Sequence, residues 1–225
     1  MRKIYAVILM VVAVTSACKK ENAGNEIIVD PPVIRIISKD TITTGAFWGL
    51  AIGQTATNIY ATLQAMQPEK KMSEIGIVGN VFDQLERVEN RLPLYKSILL
   101  DHAVGSSAGI QIYFTNDKVS SIYTNNGAKL NRWPGNTGNE ASITTGEAIS
   151  GVYAKLYNIR KNPGFTALFE RVSMFSKDIV KPYDDLMAQS PEWYFVSPGE
   201  GKRYTQVQMK FTAGKLTAIY VTVFE

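Results

Sequence analysis

The feature that most constrains this 225-residue chain is an internal echo. Gly53 is followed six residues later by Ile59-Tyr60-Ala61 and then Leu63. Gly146 is followed six residues later by Val152-Tyr153-Ala154 and then Leu156. The offset is 93 throughout, and it also pairs Ala56 with Ile149 and Met66 with Ile159. Apolar residues fall at i, i+3, i+4, i+7 and i+10 in each copy, which is one face of an amphipathic helix. Each helix is expected to end near a proline, Pro68 or Pro163.

A second pair of blocks follows at an offset of 97. Ile112-Tyr113-Phe114-Thr115, Lys118-Val119 and Ile122-Tyr123 match Met209-Lys210-Phe211-Thr212, Lys215-Leu216 and Ile219-Tyr220. Both read as β-hairpins with two-residue turns, Asn116-Asp117 and Ala213-Gly214, although Ala213 suits a primed turn poorly. A weaker echo at an offset of 84 joins Glu86-Arg87-Val88 to Glu170-Arg171-Val172. Further strands are expected around Leu94–Leu100 and Trp193–Val196. The expectation is an α+β fold of two tandem helix-plus-antiparallel-sheet units, 39–125 and 142–225, joined by a linker at 126–141.

Strand alternation sorts the side chains. If Phe114 opposes Val119, then Ile110, Ile112, Phe114, Val119, Ser121 and Tyr123 share a covered face. Val207, Met209, Phe211, Leu216, Ala218 and Tyr220 do the same in the second hairpin. The open face then carries Gln111, Tyr113, Lys118, Ile122, Gln206, Gln208, Lys210, Ile219 and Val221. Trp48 reads as core. Trp133, beside Arg132 and Pro134, is either a partner anchor or packing between the units. Trp193-Tyr194-Phe195 lies in a strand, so alternate rings point to opposite faces.

The N-terminus gives an address. Arg2 and Lys3 precede an eleven-residue apolar run, Ile4 to Val14, too short to span a bilayer. Thr15-Ser16-Ala17 then leads to Cys18, the only cysteine. Residues 1–17 read as a signal peptide. The segment resembles a bacterial lipobox, with Thr15 where Leu is usual, which implies lipidation of Cys18 and membrane anchoring through it. An ordinary secreted protein with an incidental cysteine is the competing reading. Lys19 after the cysteine resembles the outer-membrane default, facing periplasm or cell surface. Residues 18–38 read as a tether closed by Pro31-Pro32. Removing residues 1–17 leaves 22 basic against 20 acidic residues and a net charge of +2. With no basic stripe, nucleic acid is not an expected partner.

The order of blocks resembles the β-lactamase-inhibitor-protein fold, whose unit occurs singly in the BamE (SmpA/OmlA) outer-membrane assembly lipoproteins. The matching stretches are Ile52-Gly53-Gln54-Thr55 to Leu63 with Phe114 to Ile122, and Thr145-Gly146-Glu147-Ala148 to Leu156 with Phe211 to Ile219. Neither unit has Met after the Gly, neither helix ends in Leu-Gly-x-Pro, and the inhibitor's cysteines are missing. The resemblance implies a non-enzymatic module that grips an envelope protein with an exposed sheet face.

Nothing in the chain composes a catalytic set. His102 is the only histidine, and no nucleophile elbow frames Ser106 or Ser107. One Cys and one His make no zinc site. Asp184-Asp185 reads as a solvated loop, and Gly76-Ile77-Val78-Gly79 as strand and turn. No cofactor is expected. The partner-binding candidates are Gln111, Tyr113, Lys118, Ile122, Trp133, Trp193, Gln208, Lys210, Ile219 and Val221. A glycan or small ligand held by Trp133, Trp193 and Tyr113 is the alternative to a protein partner.

Overall fold

A computed structural model describes residues 34–225; the segment read as a signal peptide, Cys18 and most of the expected tether lie outside these residues. Residues 35–225 form one compact unit. Along the chain run β1 (Ile36–Ile42), β2 (Ala46–Phe47), β3 (Leu50–Ala51), α1 (Ala56–Lys70), β4 (Glu74–Val78) and β5 (Val81–Phe82). Next come β6 (Ser97–Asp101), β7 (Ile110–Thr115), β8 (Lys118–Thr124), β9 (Lys129–Leu130), β10 (Arg132–Trp133) and β11 (Ile143–Thr144). The last elements are α2 (Val152–Arg160), β12 (Arg171–Ser173), β13 (Ser176–Asp178), β14 (Glu192–Pro198), β15 (Tyr204–Thr212) and β16 (Lys215–Phe224). Sheet I has the order β1-β16-β15-β14-β4-β13 and sheet II the order β9-β8-β7-β6-β12-β5; both are antiparallel.

This overturns the expected fold of two tandem helix-plus-sheet units. Strands dominate, with sixteen against two α-helices among the described residues. Neither six-stranded sheet comes from one half of the sequence alone: sheet I joins β1 and β4 to β13–β16, and sheet II takes in β12 from the second half. The nine-residue α2 lies closest to short 3-10 turns and β11, and its buried Val152, Leu156 and Ile159 join the common core.

The offsets 93 and 97 nevertheless recur in space, between partners far apart in sequence. Gly53 N–H donates to Leu216 O at 2.8 Å, and Gly146 N–H to Val119 O at 2.7 Å. Ala56 N–H donates to Gly214 O at 2.8 Å, and Ile149 N–H to Asp117 O at 2.9 Å. The segment before each helix therefore docks on the hairpin from the other sequence half. These bonds fix both turns. Asn116, Asp117, Ala213 and Gly214 all have positive φ, so both turns are primed and Ala213 accepts +49°.

Local signals explain most elements. Thr55 caps α1 by accepting from Asn58 N–H, and Ile59, Tyr60, Leu63 and Met66 form its buried stripe. The helix runs two residues past Pro68, to Lys70, before Lys71 turns left-handed. The echo at offset 84 has no structural counterpart: Leu85–Val88 is a 3-10 turn, whereas Arg171–Ser173 is a strand.

The two sheets correspond strand by strand. Pairing registers match Gly76 with Ser173, Tyr194 with Leu99, Gln208 with Gln111 and Tyr220 with Tyr123. β4 and β12 cross from sheet to sheet side by side. At the crossing, Met174 N–H donates to Asn80 O at 3.0 Å, and the buried Asn80 Nδ2 donates to Met174 O at 2.7 Å.

Candidate functional site

Each long hairpin contains a β-bulge at the same place. Tyr113 pairs with Ser121 but Phe114 with Val119, and Lys210 pairs with Ala218 but Phe211 with Leu216. Ser120 and Thr217 are the extra residues, and every side chain beyond them changes face. Ile122, Ile219 and Val221, expected on the open face, are therefore in the core. Tyr123 and Tyr220, expected inside, point outward; Tyr220 is 39% exposed.

The remaining candidates divide the same way. Trp133 is buried with its ring edge-on to Phe165 at 5.7 Å. Trp193 is fully buried, its indole N–H donating to Met187 O at 3.2 Å and its ring 4.5 Å from Phe211. Gln111, Tyr113, Lys118, Gln208 and Lys210 do lie at the outer surface, fully or half exposed.

On sheet II the outer face is a closed network. Tyr113 Oη donates to Gln111 Oε1 at 2.7 Å, and Gln111 Nε2 donates to Asn125 Oδ1 at 3.0 Å. Asn125 Nδ2 in turn donates to Ser106 O at 2.8 Å. Tyr113 and Tyr123 meet edge to face at 6.0 Å. On sheet I, Gln208 and Lys210 both donate to the Glu192 carboxylate. Lys210 and Gln208 hold that carboxyl below its usual range against the opposing effect of burial, which is the largest single influence on it.

The sequence gives little sign of a hollow of about 230 Å³ at the β13 end of sheet I. Its lining includes Lys71, Ser73, Glu74, Gly76, Phe175, Ser176, Tyr194 and Val196. Gly76 is in mid-strand because the rings of Tyr194 and Phe175 lie against its backbone. A Cβ there would stand 2.5 Å from Tyr194 and 3.0 Å from Phe175. The two rings are 5.3 Å apart and tilted by 52°, and Phe175 is 39% exposed. Burial, then Glu74 and Glu192, raise the Tyr194 phenol above its usual range, so it stays protonated.

A second unforeseen group lies inside. Lys177 is fully buried on β13, with Nζ donating to Tyr60 Oη at 2.9 Å and to Asp178 O at 2.9 Å. Burial pushes its ammonium down to about 8, against the pull of Asp178 and Asp184. Tyr60 and Tyr95 are raised, chiefly by burial and then by Asp178 and Asp184 for Tyr60 and by Asp184 for Tyr95. Asp184 is no solvated loop residue: it is 4% exposed, accepts from Tyr95 Oη at 2.8 Å and pairs with Arg91.

His102 is exposed after β6. Among the described residues no group of three or more His, Cys, Asp or Glu could hold a metal, and no helix is long and apolar enough to cross a membrane. No family model, curated protein or solved structure matches the chain. The resemblance to inhibitor-protein and BamE units therefore rests on the motif residues alone.

Proposed function

We propose that this protein is a non-enzymatic lipoprotein of the cell envelope, anchored in the outer membrane through Cys18, that binds another envelope protein with the outer faces of its sheets. One observation carries the binding part. The outer cross-strand pair Gln111–Tyr123 in sheet II recurs as Gln208–Tyr220 in sheet I. Core positions in the two hairpins match in identity at Phe114 with Phe211 and Ile122 with Ile219, and in kind at Ile112 with Met209 and Val119 with Leu216. This outward pair matches in identity, yet its two glutamines have different hydrogen-bond partners, Asn125 and Glu192. A shared structural role does not explain the pair. Tyrosine beside adaptable polar groups is the composition of protein-recognition surfaces, giving rigid contact area at low entropic cost.

The test is crosslinking and pull-down from intact envelopes, comparing wild type, Cys18→Ser and a Tyr123→Ala/Tyr220→Ala double variant. The reading expects one envelope protein with the wild type and its loss with the double variant. Recovery of only lipid and bulk outer-membrane proteins refutes it.

A further inference from the structure

We infer that the hollow over Gly76 is a binding site for a single sugar ring in the pyranose form. This goes beyond the protein-binding reading and uses other residues.

Two rings, Phe175 and Tyr194, line the hollow beside the half-exposed Val196 side chain, with their centroids 5.3 Å apart. The lining also includes five residues with polar side chains: Lys71, Ser73, Glu74, Ser176 and Tyr194. None of the five side chains has a hydrogen-bond or ion-pair partner among the described residues. The outer network of sheet II is the contrast, since its tyrosine, glutamine and asparagine satisfy one another. Water-exposed donors and acceptors that no protein group occupies, set beside partly exposed rings, suit a ligand with an apolar face and a polar rim.

Charge narrows the class. The rim holds one cation, Lys71, and one anion, Glu74. An anionic ligand meets Glu74 and a cationic one meets Lys71, so neither is favoured. A purely apolar group would desolvate the rim without replacing its hydrogen bonds, which costs about 1–3 kcal/mol for each buried group left unpaired. A neutral polyol avoids both penalties. Its axial C–H face can lie on the rings, while its hydroxyls accept from Lys71, donate to Glu74, and do either with Ser73, Ser176 and Tyr194. Size sets the count. Pockets for drug-sized ligands run to about 300–1,000 Å³, so about 230 Å³ takes one ring. Sheet II cannot hold a second such site, because Leu99, Ser173 and Asn80 stand where Tyr194, Gly76 and Phe175 stand here.

Saturation-transfer NMR on the full chain, with methyl glycosides of glucose, galactose, mannose and N-acetylglucosamine, tests this. The expected result is saturation concentrated on one face of at least one pyranoside. Tyr194→Ala and Phe175→Ala should each weaken binding by about tenfold, the order of one lost stacking contact. Tyr194→Phe keeps the ring over Gly76, so it should weaken binding less; it also serves as the readout if the alanine variant does not fold. Tyr123→Ala should leave sugar binding unchanged, which separates this site from the protein-binding surface. Saturation of no pyranoside, saturation that survives both ring removals, or equal binding of cyclohexanol would overturn the assignment.

Discussion

The same two positions differ sharply between the two sheets. In sheet II, Arg171 on β12 stands opposite Asp101 on β6, and its guanidinium donates to both carboxylate oxygens at 2.7 and 2.9 Å. Asp101 is 1% exposed, and Gly109 packs against it so closely that a Cβ there would lie 3.1 Å from the Asp101 Cβ. In sheet I the registers place Glu74 where Arg171 is and Val196 where Asp101 is. Val196 is 46% exposed and Glu74 has no ion-pair partner among the described residues. One sheet thus closes this corner with a buried ion pair and the other leaves it open with aromatic walls. Matching backbones with opposite side-chain solutions show that the hollow is a property of its residues, not of the topology.

Three substitution sets sharpen that contrast. The largest effect is expected at the ion pair. Arg171→Ala leaves a buried carboxylate uncompensated and should cost about 3 kcal/mol in urea unfolding, whereas Glu74→Ala should change stability by less than about 0.5 kcal/mol. Equal costs would show that the two corners are not different in kind.

Next comes the interior of β13. Lys177 occupies the position that Phe82 fills in sheet II. Its folded value of about 8 lies below its usual 10.5, so between those values the unfolded chain binds more protons and stability rises with pH. Above pH 10 the raised phenols of Tyr60 and Tyr95 act in the opposite sense, because the unfolded tyrosines ionise first. Relative to Lys177→Met, the wild type should therefore gain about 2 kcal/mol between pH 8 and 10. A flat difference across that range would mean the ammonium is solvated in the folded state. Smaller again is Gly76→Ala, which drives a methyl into the Tyr194 ring and should cost about 1–2 kcal/mol. Its counterpart Ser173→Ala removes a buried hydroxyl without a partner and should be neutral or mildly stabilising.

What could be read from the sequence follows from how local each signal is. The helix stripes Ile59–Leu63 and Val152–Leu156 and both hairpins were visible because period and turn residues lie within a dozen positions. The faces failed after Ser120 and Thr217, since a bulge adds one residue without a sequence mark and inverts all that follows. The fold of two helix-plus-sheet units fails for a longer-range reason. Nothing near Gly53 reports that its N–H bonds to Leu216, so the repeat in sequence does not reveal that its halves interlock. The hollow is assembled from residues 71–76, 175–176 and 194–196, and only Gly76 inside a β-branched strand hinted at a close approach. Asp184 reads as a solvated loop residue, and Lys177 carries no local mark of burial, because the partners of both come from distant segments.

The smallest stability effect is expected where the functional effect is largest. Tyr123 and Tyr220 sit at corresponding outer positions, both partly exposed, so removing either ring takes little from the core. Tyr123→Ala loses its edge contact with Tyr113, whereas Tyr220 has no ring contact of that kind among the described residues. Tyr123→Ala should therefore cost about 0.5–1 kcal/mol and Tyr220→Ala less than about 0.5 kcal/mol. If both faces meet the partner, each single variant should weaken capture and the double variant should abolish it. If capture depends on one ring alone, the matched Gln–Tyr pair is a relic of the repeat, and only the sheet whose ring matters forms the interface.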